Sequence, residues 1–404
     1  MSGEDRQERE QLRQARQAKR AARAQQGGPT QAERQQARMK RRAERARETA
    51  ANARPGAAKP AKPLQRAGGA QAGGAKAGAN VRGARPVEKN PEQGMLAYID
   101  TMRIRLGNAE RCEYPDRLHA NCREGALFPA FLPKFKLDLG AGAKVFTIGT
   151  GFARDIEPVL EARGVMVPTT AITIPQSSLS RAENPLNEYT PPTIAQRIAG
   201  AFKPSGALKG TVIEAGQLFS DQFLPGKLNE SMEKLEARRA EIAAIYARLR
   251  DCGAVIITLA SAEVWYDAKS KWFFNRPPPG DIVRRRARHI YFAVQDASDV
   301  VAALTPPLAA LGEIGIKVVL AVSPVAQRAT FSAADAVIAN ETSKSVLRAA
   351  VHRLTETFEH VDYFPAYEIA RSAGLHAYMD DNVQLSDEFA ALLVETFITA
   401  YAGA

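Results

Sequence analysis

Val145-Phe-Thr-Ile-Gly-Thr-Gly-Phe-Ala-Arg-Asp-Ile-Glu157 decides the fold. A short apolar run rich in β-branched residues ends in Gly149-Thr150-Gly151. A helical pattern then starts at once, with Phe152, Ile156 and Leu160 on one face and Arg154 and Asp155 facing away. The stretch reads as strand, tight turn and helix. Gly149 and Gly151 permit the turn because neither carries a Cβ. Thr150 then presents a hydroxyl at the carboxyl end of a strand, where ligands bind in open α/β sheets. Helix-start N–H groups there also stabilise an anion or a developing oxyanion, with Gly151 as one source. An ordinary βα turn with a Thr cap fits the same residues.

Working outward, the chain alternates. Helix is expected from Phe152 to Arg163, ended by Gly164, and a second strand within Val165–Thr173. A long polar loop covers 177–192, and a helix covers Thr193–Phe202. Val212–Ala215 is extended. A long helix carries Leu228, Met232, Leu235, Ile242, Ile245 and Leu249 on one face. Ala254–Leu259 and Lys317–Ser323 are continuous apolar runs, as buried parallel strands require. Helices are expected over Ala297–Leu311 and Ala334–Phe358. A short strand at Val361–Phe364 follows, and Ser386 caps a last helix. Regular alternation implies a three-layer α/β sandwich, flavodoxin-like, with a central parallel sheet.

The charge is uneven. Residues 1–90 hold 22 Lys+Arg against 8 Asp+Glu, and the remainder holds 33 against 36. Residues 1–50 are rich in Arg, Gln, Ala and Glu with almost no large apolar side chain, so the reading is a disordered basic arm. Residues 51–90 turn to Ala, Gly, Pro and Lys, the composition of a flexible linker. One domain is expected over 91–404, with a short amphipathic helix at Met95–Met102 and an irregular segment at 108–135. The arm suits an anionic partner (nucleic acid, acidic lipid or acidic protein) or serves as a solvated tail.

No apolar run approaches the roughly 18 residues that span a bilayer, and no apolar core follows Met1. The cysteines Cys112, Cys122 and Cys252 form no C-x-x-C pair. Cys112 and Cys122 would pair only if oxidised. A reducing, cytoplasmic setting is expected. No His/Cys/Asp/Glu cluster has metal-ligand spacing, and no P-loop or dinucleotide fingerprint follows a strand. No cofactor is therefore expected.

Functional groups should collect just after the strands. Four places qualify: Gly149–Gly151, Leu186–Pro191, Ala260–Trp265 and Asp380–Ser386. Together with Asn187-Glu-Tyr-Thr-Pro191, Glu263-Val-Trp265, Val322-Ser-Pro-Val325, Ser343-Lys-Ser345 and Asp362-Tyr-Phe-Pro365, their order resembles the GSCFA family, a branch of the SGNH hydrolase fold. Gly149-Thr-Gly-Phe-Ala153 stands where the family has Gly-Ser-Cys-Phe-Ala. Asp380-Asp-Asn-Val-Gln384 stands where it has Asp-Asp-Asn-Val-His. The resemblance runs from about Tyr114 to Tyr401.

That resemblance implies a Ser-His-Asp esterase or acyltransferase apparatus, the Asp falling on Asp381. It implies ligand contacts from Asn187, Glu263 and Trp265, and a carbohydrate or acyl ligand. The chain departs from the family at the reacting positions. Thr150 replaces the nucleophilic Ser, Gln384 replaces the general-base His, and Ala260 replaces a usual Gly. A carboxamide accepts no proton at useful pH, whereas imidazole does. Losing a positioned base costs on the order of 10² to 10⁴ in rate. A protein with weakened or lost chemistry is expected. An active O-acyl esterase or acyltransferase using Thr150, and an interaction protein acting through its arm, are the alternatives. Among His119, His289, His352, His360 and His376, only His376 lies near enough in sequence to Asp381 to act as a substitute base.

Overall fold

The computed structural model describes residues 98–107, 114–115, 119–173, 184–202, 212–215, 218–222, 229–278 and 288–403. The expected arm and linker and Cys112 lie outside the described residues. The chain divides into two units, Met1–Pro86 and Val87–Ala404, and the described residues belong to the second.

Four strands form the central sheet: β1 (Val145–Ile148), β2 (Ala254–Leu259), β3 (Lys317–Val322) and β4 (Val361–Phe364). They lie in the order β4-β3-β2-β1, and every pair is parallel. Ile148 pairs with Ile257, Leu259 with Val322, and Ala321 with Phe364. Every residue of β1 and β2 is buried, which explains their unbroken apolar sequence.

Successive side chains point to opposite faces and divide the core in two. Phe146, Ile148, Val255, Ile257, Leu259, Leu320 and Val322 pack on one side. The helices there are α3 (Pro191–Phe202), α4 (Met232–Ala247), α5 (Ala297–Glu313) and α6 (Ala336–Thr357). Val145, Ile256, Val319, Ala321 and Phe364 pack on the other. That side is covered by α1 (Phe152–Asp155), α2 (Glu157–Ala162), α7 (Ala366–Ala373) and α8 (Asp387–Tyr401). The result is a three-layer α/β sandwich.

Two expectations around β1 change. The single helix from Phe152 to Arg163 is two short helices that meet at Ile156. Pro158 supplies the reason, because it has no N–H to donate to the Arg154 carbonyl. The second strand within Val165–Thr173 shrinks to one parallel bridge, Lys144 to Met166. Val145 N–H donates to Met166 O at 3.0 Å and Met166 N–H to Ala143 O at 2.7 Å. Pro168 then opens a 3₁₀ turn over Pro168–Ala171. Even so, Met166 occupies the place of a strand beside β1, on the side away from β2. The chain leaves β1 in one direction and β2 lies in the other. That divergence is the switch point of a doubly wound sheet, and a crevice opens there.

Elsewhere a helix spans Tyr98–Gly107, and a two-residue hairpin pairs Cys122–Arg123 with Ala126–Leu127 within the segment read as irregular. A three-stranded antiparallel sheet sets Glu263–Asp267 between Trp272–Phe274 and Ile290–Val294. Val212–Ala215 is extended as expected, in a second three-stranded sheet. Among the described residues, no helix is long and apolar enough to cross a membrane.

Candidate active site

At the switch point lies an open pocket. It is lined by Thr150, Gly151, Arg154, Asp155, Asn187, Tyr189, Val325, Gln384 and Leu385. These residues come from the turn after β1, from α1, from the segment after β3, from the loop before α3 and from the loop before α8.

The turn after β1 is built by close approach. Gly149 has φ of 120°, and a Cβ there would stand 2.3 Å from the Thr258 carbonyl oxygen. Only glycine fits, and this draws the chain against β2 just before Thr150. Gly151 has φ of 51° and accepts from the N–H groups of Arg154 and Asp155. Thr150 itself is buried, at 7% exposure, so its hydroxyl meets only what enters the pocket or lines it.

Asn187 is brought alongside by a parallel bridge to Gly149. Asn275 fixes this segment, its Nδ2 donating to Asn187 O at 2.6 Å and its Oδ1 accepting from Tyr189 N–H at 3.0 Å. Beneath it, Glu188 is fully buried against Arg197, whose Nε donates to Oε1 at 2.6 Å. Burial lifts the Glu188 carboxyl to about 7, against the pull of the Arg197 charge.

Gln384 lines the same pocket as Thr150, and Asp381 bonds the Gln384 backbone. Asp381 Oδ1 accepts from the N–H groups of Val383 and Gln384, both at 2.9 Å. Its Oδ2 accepts from Arg328 Nη2 at 2.8 Å. The Gln384 and Val383 N–H groups, then Arg328, hold the carboxyl below its ordinary range.

The remaining expected residues lie elsewhere. Glu263 and Trp265 do not line the pocket. Glu263 accepts from Thr330 Oγ1 and, at 3.2 Å, from Phe331 N–H. Trp265 packs its ring against Phe292 and Phe331 at 5.1 and 5.0 Å. Both hold the segment that follows Val325. His376 is exposed on the turn Gly374–Ala377 and is not among the lining residues. His119, His289, His352 and His360 do not line the pocket either. Among the described residues, no group of three His, Cys, Asp or Glu is placed to hold a metal ion.

Arg154 departs from its expected outward orientation. It is 7% exposed and lines the pocket. Its Nη1 meets Glu157 Oε1 at 2.6 Å and its Nη2 donates to Thr147 O at 3.0 Å. The hydroxyls of Thr147 and Thr169 donate to the same Glu157 oxygen at 2.5 and 2.6 Å. Removing one partner of such a buried pair is costly, because the other is left uncompensated. Arg154 and Asn275 were missed as site residues. The spacing of Arg154 on a surface helix suggests solvent, and nothing near Asn275 in sequence marks it.

Fold and pocket thus define a doubly wound α/β protein with a hydroxyl-bearing pocket at its switch point. Residues 144–397 match the model of the GSCFA family, which is more than half of the chain, and the protein belongs to that family. Among solved structures, the chain is similar to an Axe2 mutant, an acetyl-xylooligosaccharide esterase from Geobacillus Stearmophilus. That likeness has 12% identity and a TM-score of 0.29, over 66% of this chain and 98% of the other. No curated protein matches the chain.

Proposed function

We propose that this GSCFA domain keeps a ligand pocket of the esterase type while its hydrolytic chemistry is weakened or lost. One observation carries the reading. Thr150 and Gln384 line one pocket, and none of the five histidines joins them. An alcohol becomes a useful nucleophile when a neighbouring base takes its proton. A carboxamide does not do this, and the Thr methyl further crowds attack. Asp381, which would orient an imidazole, here holds the Gln384 backbone. What remains suits recognition of a carbohydrate or acyl ligand through the Thr150 hydroxyl, the Asn187 and Gln384 amides, and apolar contact from Val325 and Leu385.

The test restores the missing groups. Thr150→Ser with Gln384→His should hydrolyse p-nitrophenyl acetate, and neither single change should. An inert double variant that folds normally would refute an intact acyl site.

The arm supports a separate activity through its charge. Deleting residues 1–90 should abolish salt-sensitive binding to nucleic acid or anionic vesicles. Binding that survives the deletion would refute it.

A further inference from the structure

We infer that Lys344 is a positioning residue for the pocket, its ammonium tying together the loops that leave β2 and β3. This rests on the reading of that pocket as the ligand site.

Lys344 lies on α6 with no exposure at all. Its Nζ donates to Ala260 O at 2.7 Å and to Val325 O at 2.9 Å. Those two carbonyls belong to the segments directly after β2 and β3, the strand ends that border the crevice. Val325 is itself a wall of the pocket. Ala260 acts one step removed. Its N–H and that of Ser261 both donate to Tyr189 O, at 3.1 and 2.9 Å, and Tyr189 is another wall. Ser343, the preceding residue and equally buried, accepts from Ala262 N–H at 2.6 Å. Two adjacent residues of one helix therefore hold both loops.

The chemistry explains why a cation stands there. Two converging carbonyls present lone pairs, and the Lys344 amine offers N–H donors to both. Among the described residues, no carboxylate forms an ion pair with Lys344. The nearest acidic influence is Glu341, one turn earlier, whose carboxylate accepts from Tyr367 OH at 2.8 Å. Burying an ammonium so is costly, and a Met of similar volume would fill the space at no such cost. Burial accordingly pushes the amine down to about 7. A residue that only filled the core would be better apolar. The amine is explained by the two carbonyls it holds.

The experiment compares amide exchange in the full chain and in Lys344→Met. Exchange at Ala260, Ser261, Ala262 and Ala326 should accelerate at least about tenfold, the scale of one lost hydrogen bond. Amides of Val255–Ile257 within β2 should not change. Loop amides that exchange no faster than in the parent would overturn the inference. Lys344→Gln, which keeps a donor, supplies a second folded variant for the same comparison.

Added to the Thr150→Ser/Gln384→His background, Lys344→Met should raise KM for p-nitrophenyl acetate more than it lowers kcat. An equal fall of kcat with unchanged KM would also count against it. An inactive background would defeat the functional reading alone, because the amide comparison needs no activity.

Discussion

Asp381 bonds the backbone of Gln384: its Oδ1 accepts from the Gln384 N–H at 2.9 Å. The Asp381 carboxylate thus folds the loop that carries Gln384, which on the proposed reading stands in place of a catalytic imidazole. This predicts an asymmetry. Asp381→Asn keeps an acceptor for the Val383 and Gln384 N–H groups and should leave the denaturation midpoint near that of the parent. Asp381→Ala removes it and should lower the midpoint clearly below the Asn variant. Equal midpoints would show that the loop does not depend on these bonds.

Gly149 tests the turn. Its φ of 120° and the 2.3 Å from its notional Cβ to Thr258 O leave no room for a side chain. Gly149→Ala should cost more than about 3 kcal/mol in urea unfolding, because backbone strain and a backbone clash add. A loss under about 1 kcal/mol would mean that β1 and β2 separate more easily than their packing implies.

Stability should pass through a minimum near neutral pH. Glu188 rises from 4.5 to about 7 on folding, so between those values the folded chain binds more protons and stability falls as pH rises. Lys344 drops from 10.5 to about 7, so above 7 the unfolded chain binds more protons and stability climbs. Urea midpoints at pH 5, 7 and 9 should dip at 7. Glu188→Gln should flatten the acid limb and Lys344→Met the alkaline limb. A midpoint highest at pH 7 in the parent would contradict both assignments.

Much of the fold was legible in the sequence for physical reasons. Ala254–Leu259 and Lys317–Val322 are buried on both faces, so their apolar runs are continuous and hard to mistake. Thr150 was legible because strand, glycine turn and helix succeed one another within a dozen residues. The edge beside β1 was not, because Pro168 cuts short a run whose composition otherwise reads as a strand. The inward turn of Arg154 was hidden for a different reason. Its partners Thr147, Glu157 and Thr169 form a buried polar set that only tertiary packing assembles. Glu263 and Trp265 stand after β2 as expected of site residues. Their contacts, however, run to Thr330, Phe331 and Phe292, and spacing alone does not distinguish a ligand group from a residue that braces a loop. Asn275 acts through groups far off in sequence, which leave no motif, and the stretch Ser343-Lys-Ser345 does not reveal the Ala260 and Val325 carbonyls that Lys344 bonds.

The central claim is that the Thr150 hydroxyl, with Gln384 and no imidazole beside it, is unreactive toward acyl and phosphonyl electrophiles. The most direct measurement is labelling of the unmodified full chain by a fluorophosphonate probe, with Thr150→Ala as control. The account predicts no labelling above that control. Stoichiometric labelling of the unmodified chain that disappears in Thr150→Ala would contradict it.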